Sequence, residues 1–192
     1  MPRLAISQQR LLRIATVALC LYLVGRAITL AMLRPSSTSM IIVYALGSFT
    51  WVLLGVLLRP LAPIVMTMGM ASYIIGMGLR IGYLFYQQPL PTGYVESGSP
   101  WPLALALKAV AIVCLAFTLW QGRVGHRMLW LLFLAFAVAV AVRVVCYQSL
   151  SIAEFSFVNL LRDLLGGGSY FALAITLYFQ SAFLAAEGAE AR

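Results

Sequence analysis

Along the chain, long apolar runs alternate with short polar breaks, and no polar stretch between the runs exceeds the length of a loop. Matching runs to breaks predicts six spans, near 11–33, 40–58, 62–86, 101–121, 127–148 and 168–186. Each approaches or exceeds the roughly 20 helical residues that cross a hydrocarbon core of about 30 Å. The breaks carry turn chemistry. RPSSTS (Arg34 to Ser39) reads as a turn, RPLAP (Arg59 to Pro63) as a tight proline hairpin, QQPLPTGYVESGSPWP (Gln87 to Pro102) as a longer loop and QGRVGHR (Gln121 to Arg127) as a basic turn.

The connection after the fifth span, SLSIAEFSFVNLLRDLLGGG (Ser149 to Gly168), has a different pattern. Ser151 and Glu154 have capping-box spacing, Ile152, Phe155, Val158 and Leu161 recur at roughly helical intervals, and Gly166 to Gly168 would end the turn. This predicts a short amphipathic helix on the outer membrane surface. The alternative is a long, kinked start to the sixth span.

Composition agrees with the pattern: of 192 residues, 63% are hydrophobic and 9% charged, with a mean hydropathy of +0.99. Soluble domains are nearer half apolar and a quarter charged. The expected fold is all-α, a polytopic bundle of six transmembrane helices plus the short surface helix, forming one domain over residues 1–192. The run from Leu11 to Leu33 is too long for a signal-peptide core and lacks an A-x-A site, so it reads as a retained first span.

The net charge of +8 resides mostly at span ends rather than in a run beside exposed aromatics. Topology therefore explains it better than nucleic acid, which is not an expected partner. With the N-terminus in the cytoplasm, that side holds Arg3, Arg10, Arg13, Arg59, Arg123, Arg127 and Arg192, against Arg34 and Arg162 in the outer loops. The positive-inside rule then places both termini in the cytoplasm, in an inner or plasma membrane. Tyr83, Tyr86, Tyr94 and Trp101 would crowd the outer interface as aromatic anchors. Cys20, Cys114 and Cys146 lie in apolar runs without CxxC spacing and read as small buried hydrophobes.

Within the spans, four cations change the picture: Arg26, Arg80, Lys108 and Arg143, each somewhat to the outer side of its span's midpoint. A charge facing lipid costs at least about 2.5–3.5 kcal/mol, so such groups usually face a bundle interior or a wet cavity. The competing explanation is snorkelling to the nearest headgroups. Helical side chains lean toward their helix's N-terminus, which turns Arg26, Arg80 and Arg143 inward in this orientation and Lys108 toward the nearer surface. Snorkelling thus suits Lys108 better than the arginines. Tyr73, Gly76, Arg80, Tyr83 and Gln87 share a helical face, as do Tyr22, Arg26 and Thr29, and Arg143 has Cys146 and Tyr147 beside it. Comparable stripes on the second span (Tyr44, Ser48, Trp51, Gly55) and the sixth (Ser169, Thr176, Gln180) read as ordinary packing seams, and Gly78 with Gly82 forms a GxxxG.

No predicted span contains a carboxylate; Glu154 and Asp163 lie in the predicted surface helix and Glu96 in the preceding loop. That limited supply leaves room for an outside anion. The candidate ligand-binding residues are Arg26, Arg80, Arg143, Tyr83, Tyr147 and Lys108, with Glu154 and Asp163 as gating or ion-pair groups. His126 is the only histidine and sits in a basic turn, so multi-histidine metal sites and paired histidine ligation of haem are excluded. GGGSY matches no nucleophile elbow, and Gly166 to Gly168 lack the lysine and strand of a phosphate loop. No metal or other cofactor is expected.

The leading expectation is a membrane protein with an outward cationic site for an anionic lipid headgroup or small anion, as a carrier, flippase-like protein or lipid-binding module. The alternative is a non-catalytic accessory or structural subunit of a larger membrane complex, whose arginines meet a neighbour's carboxylates or structural lipid; the expected partners are membrane lipids and either other membrane subunits or further copies of the chain in a homo-oligomer. A lipid-processing enzyme using Glu154 or Asp163 comes third.

Overall fold

In the computed structural model the described residues form six α-helices: α1 (Gln9–Ala31), α2 (Ser37–Leu58), α3 (Pro63–Tyr86), α4 (Trp101–Gln121), α5 (Arg127–Val145) and α6 (Ile152–Glu190). The structure describes residues 9–32, 36–86, 101–125, 127–145 and 152–190, side chains excepted at 9, 37, 86, 127, 152–156 and 183–190. Tyr94, Glu96, His126, Cys146, Tyr147 and Ser151 lie outside the described residues. All six helices contain a segment long and apolar enough to cross a membrane, and the protein is a six-span integral membrane protein. Helices are the expected solution, because hydrocarbon offers no partner to an unpaired backbone N–H or C=O.

Local chemistry sets several helix ends. The Ser36 side chain accepts the Ser39 N–H at 3.1 Å, capping α2. Pro63 begins α3, where a missing N–H costs nothing. Before it, the Arg59 N–H donates to the Gly55 carbonyl at 2.9 Å and the Leu61 N–H to that of Leu58 at 3.0 Å, closing the RPLAP turn. Between α4 and α5 the chain reverses through Arg123 (φ 48°) and Gly125 (φ 72°), left-handed positions of which glycine adopts the second without strain.

One expectation is corrected. Among the described residues no separate surface helix precedes the sixth span: α6 runs without interruption for 39 residues, and its apolar segment is Phe157–Ala182. Gly166 to Gly168 lie inside this helix instead of ending it. A glycine costs a helix about 1 kcal/mol relative to alanine, but opening the backbone within lipid costs several. Gly166 also has a packing role, since a Cβ there would come within 2.8 Å of the Phe136 ring.

The helices form a closed ring in which each packs on the next and α6 returns to α1. Neighbours run antiparallel, as paired contacts show for α1 and α2 (Tyr22 at Gly47, Val43 at Gly25), α2 and α3 (Tyr73 at Gly47, Met70 at Gly55), α3 and α4 (Cys114 at Gly69, Ala104 at Gly76) and α5 and α6 (Phe136 at Gly166, Thr176 at Gly125). The ring is filled by an aromatic layer. Trp51 stacks on Tyr73 at 4.5 Å, and Tyr170 meets Tyr22, Phe133 and Phe136 edge-on at 5.6, 5.4 and 6.0 Å. Trp51 Nε1 donates to the Tyr170 hydroxyl at 3.0 Å, so these two polar atoms of the layer satisfy each other. The outer faces carry exposed Ile14, Val17, Ile64, Ile75, Phe171 and Phe179, as a lipid-facing surface demands.

The close approach of α3 to α4 rests on Gly69 and Gly76, seven residues apart: a Cβ would stand 2.7 Å from Cys114 Cβ at the first and 3.0 Å from the Ala104 carbonyl oxygen at the second. Gly78 and Gly82, the GxxxG pair of the sequence, have nothing within 4 Å and do not form this seam. Gly69→Leu is expected to force the two helices apart at a cost of about 1–3 kcal/mol, while Gly78→Leu leaves thermal unfolding in detergent unchanged. Cys20 and Cys114 are free thiols; Cys20 is exposed on the outer face of α1, contrary to its reading as a buried group, because its position falls on the lipid side.

Candidate functional site

Where α1, α3 and α5 end and α2, α4 and α6 begin, the ring opens into a cavity of about 230 Å3. Among the described residues five cations line it: Arg26 from α1, Arg80 from α3, Lys108 from α4, Arg143 from α5 and Arg162 from α6. Thr29, Tyr44 and Trp101 contribute to the wall. Tyr22, Tyr73 and Tyr170, about one to two helical turns deeper than Arg26, Arg80 and Arg162 respectively, belong to the buried aromatic layer that makes a floor below the lining residues. The volume is below the roughly 300–1,000 Å3 of drug-sized pockets and corresponds to a headgroup or small ion.

The cations differ in how their charge is met. Arg26 Nη2 donates to Asp163 Oδ1, and Arg162 donates to the same oxygen through Nε at 2.8 Å and Nη2 at 2.6 Å. One carboxylate oxygen thus serves two arginines. Asp163 is the one carboxylate paired with them among the described residues, and all three side chains are shielded, between 12% and 18% exposed. Lys108 is 3% exposed and sets its ammonium 5.4 Å from the Phe136 ring centre. Its surface-seeking reading is therefore corrected: α4 turns it into the ring interior, where the four-carbon stem packs among apolar neighbours and the charge stays with the cavity.

Arg80 is the most distinctive. It is 5% exposed, with its guanidinium carbon 4.9 Å from the Trp101 ring centre and 5.6 Å from that of Tyr44. Aromatic faces stabilise a cation, but they supply no oxygen acceptor. Nε and Nη2 are buried and without a hydrogen-bond partner. A buried donor of this kind ordinarily costs about 1–3 kcal/mol, more when charged.

The structure therefore brings Arg26, Arg80, Lys108 and Arg143 to one cavity and adds Arg162, Tyr44 and Trp101, which sequence reasoning had placed in a loop, a packing seam and an interfacial belt. Tyr83 stands outside the lining, edge-on to Trp101 at 6.1 Å, with its buried hydroxyl unpartnered. Tyr147 lies outside the described residues and Glu154 outside the described side chains. The second-span seam reading holds for Trp51 and Gly55; on the sixth, Ser169 and Thr176 bond back to the carbonyls of Leu165 and Ala172 at 2.7 and 2.9 Å. Among the described residues no histidine, cysteine and carboxylate cluster fit for a metal occurs.

Fold and site together define a polytopic helical membrane protein with a cation-lined cavity enclosed by its ring of spans. Comparison with family models, curated proteins and solved structures gives no match, so the functional reading rests on this geometry.

Proposed function

We propose that the cavity is an intramembrane anion site, taking an anionic lipid headgroup or a small anion in a carrier, flippase-like or lipid-binding protein. The observation that carries this reading is Arg80, a shielded guanidinium with two unpartnered N–H groups beside four further cations. Cations held together in a low-dielectric setting repel one another, and a bound anion relieves both that repulsion and the open donors. By the positive-inside distribution the termini are cytoplasmic and the cavity faces the outer side of an inner or plasma membrane.

The test is to replace Arg26, Arg80 and Arg143 one at a time with glutamine and measure binding and transport of anionic lipid and solutes in proteoliposomes. The expected result is at least a tenfold loss for Arg80→Gln, the size of one charge-assisted hydrogen bond. Unchanged behaviour in all three variants removes the proposal.

A second reading, a non-catalytic subunit of a larger assembly, draws support from Gly78 and Gly82. Their open Cβ positions leave a GxxxG face on α3 that another helix fits. Mass measurement of natively purified protein separates the two, since a stoichiometric partner supports the subunit and a monodisperse monomer or homo-oligomer the carrier.

A further inference from the structure

We infer that the anion is a phosphate group, held through the Nε/Nη2 edge of Arg80, and that the site selects tetrahedral oxyanions over halides and carboxylates. This rests on the proposed anion site and narrows its ligand. Nε and Nη2 lie along one edge of the planar guanidinium, with parallel N–H bonds spaced to meet two oxygens of one acceptor group. Those two atoms are the unpartnered ones. A halide has one centre and cannot satisfy both donors with good geometry, whereas a phosphate presents two oxygens to the fork and keeps others for further partners.

The surrounding charges favour phosphate over a carboxylate. Cations approach the cavity from five different helices, α1, α3, α4, α5 and α6. A carboxylate carries one charge and two coplanar oxygens, so once it meets the fork its remaining lone pairs stay close to the plane of that guanidinium. A phosphomonoester carries about −1.5 to −2 charges at neutral pH, and its oxygens diverge. Lys108, a point charge in the same lining, suits one of the remaining oxygens. Nε and Nη2 are buried while Arg80 is among the residues that line the cavity, so binding through this edge requires the guanidinium to turn toward the cavity.

The same chemistry is offered by free phosphate and by a lipid with a terminal phosphate, and the experiment distinguishes them. Purified full-length protein in phosphatidylcholine nanodiscs is titrated with inorganic phosphate, acetate and chloride, reading the fluorescence of tryptophan, since Trp101 lies against Arg80. Phosphate is expected to bind at least about tenfold more tightly than acetate or chloride. Nanodiscs containing phosphatidic acid that abolish this binding identify the headgroup as occupant; undiminished binding identifies free phosphate, and both support the inference. Arg80→Lys keeps the charge but loses the fork, and is expected to weaken phosphate about tenfold while leaving chloride unchanged. Equal affinity for chloride or acetate in the native protein overturns the phosphate inference without recourse to any variant, as does a folded Arg80→Lys protein that binds phosphate normally. Both results leave the anion site standing. No binding of any anion, with no effect of phosphatidic acid, overturns the site itself.

Discussion

Asp163→Leu is expected to destabilise the protein by about 3–5 kcal/mol, the cost of removing one partner from a shielded ion pair. The carboxylate oxygen that this change deletes accepts from both Arg26 and Arg162. Without it the two guanidinium groups lose their common acceptor and face each other, with Arg80 and Lys108 on the same cavity wall. Asp163→Asn should lose less, because an amide oxygen can still accept. An anion in the cavity would take over part of the carboxylate's role, so added phosphate should raise the midpoint of thermal unfolding more for Asp163→Leu than for the native protein. A leucine variant as stable as the native chain would mean that the triad contributes nothing.

The second large effect concerns the floor. Tyr170 is 2% exposed, touches three aromatic rings from α1 and α5, and accepts the Trp51 N–H from α2. Tyr170→Ala removes a ring at the centre of the closed bundle and should cost about 3–5 kcal/mol, the usual range for a buried aromatic cut to alanine. Tyr170→Phe keeps the edge-on contacts and orphans only Trp51 Nε1, for about 1–2 kcal/mol. Chemical or thermal unfolding in one detergent compares them. Anion affinity supplies a further readout: the alanine variant lets the floor relax beneath Arg26 and Arg80 and should bind more weakly, while the phenylalanine variant should bind as the native protein does.

The six-span architecture was legible because hydrophobic length is a direct consequence of bilayer thickness, and the runs around Trp51, Ile112 and Phe136 can be read without tertiary information. The inward turn of Arg26, Arg80 and Arg143 was legible too, from the cost of a lipid-facing charge. The beginning of α6 was not. Arg162, Asp163 and the three glycines look like an interfacial helix and its stop, since local propensity cannot report that Phe136 packs against Gly166 or that Arg26 waits on α1 for Asp163. The same misreading placed Arg162 in a loop and hid the fifth cation. Lys108 was misjudged for a related reason: side-chain lean says which way along the membrane normal a residue points, whereas its burial depends on which neighbours flank α4 around the ring. Tyr44 belonged to a stripe with Trp51 and Gly55, and only the position of Arg80 on the facing helix separates it from that seam.

The most direct test of the account is a high-resolution structure of the full-length protein with arsenate, a tetrahedral oxyanion whose anomalous scattering locates it without ambiguity. The account predicts a single peak inside the ring of spans, within hydrogen-bond distance of Arg80 Nε and Nη2 and close to the Lys108 ammonium. A cavity that stays free of arsenate at saturating concentration, with the Arg80 edge still unpartnered or bound to a carboxylate of a neighbouring chain, would contradict it.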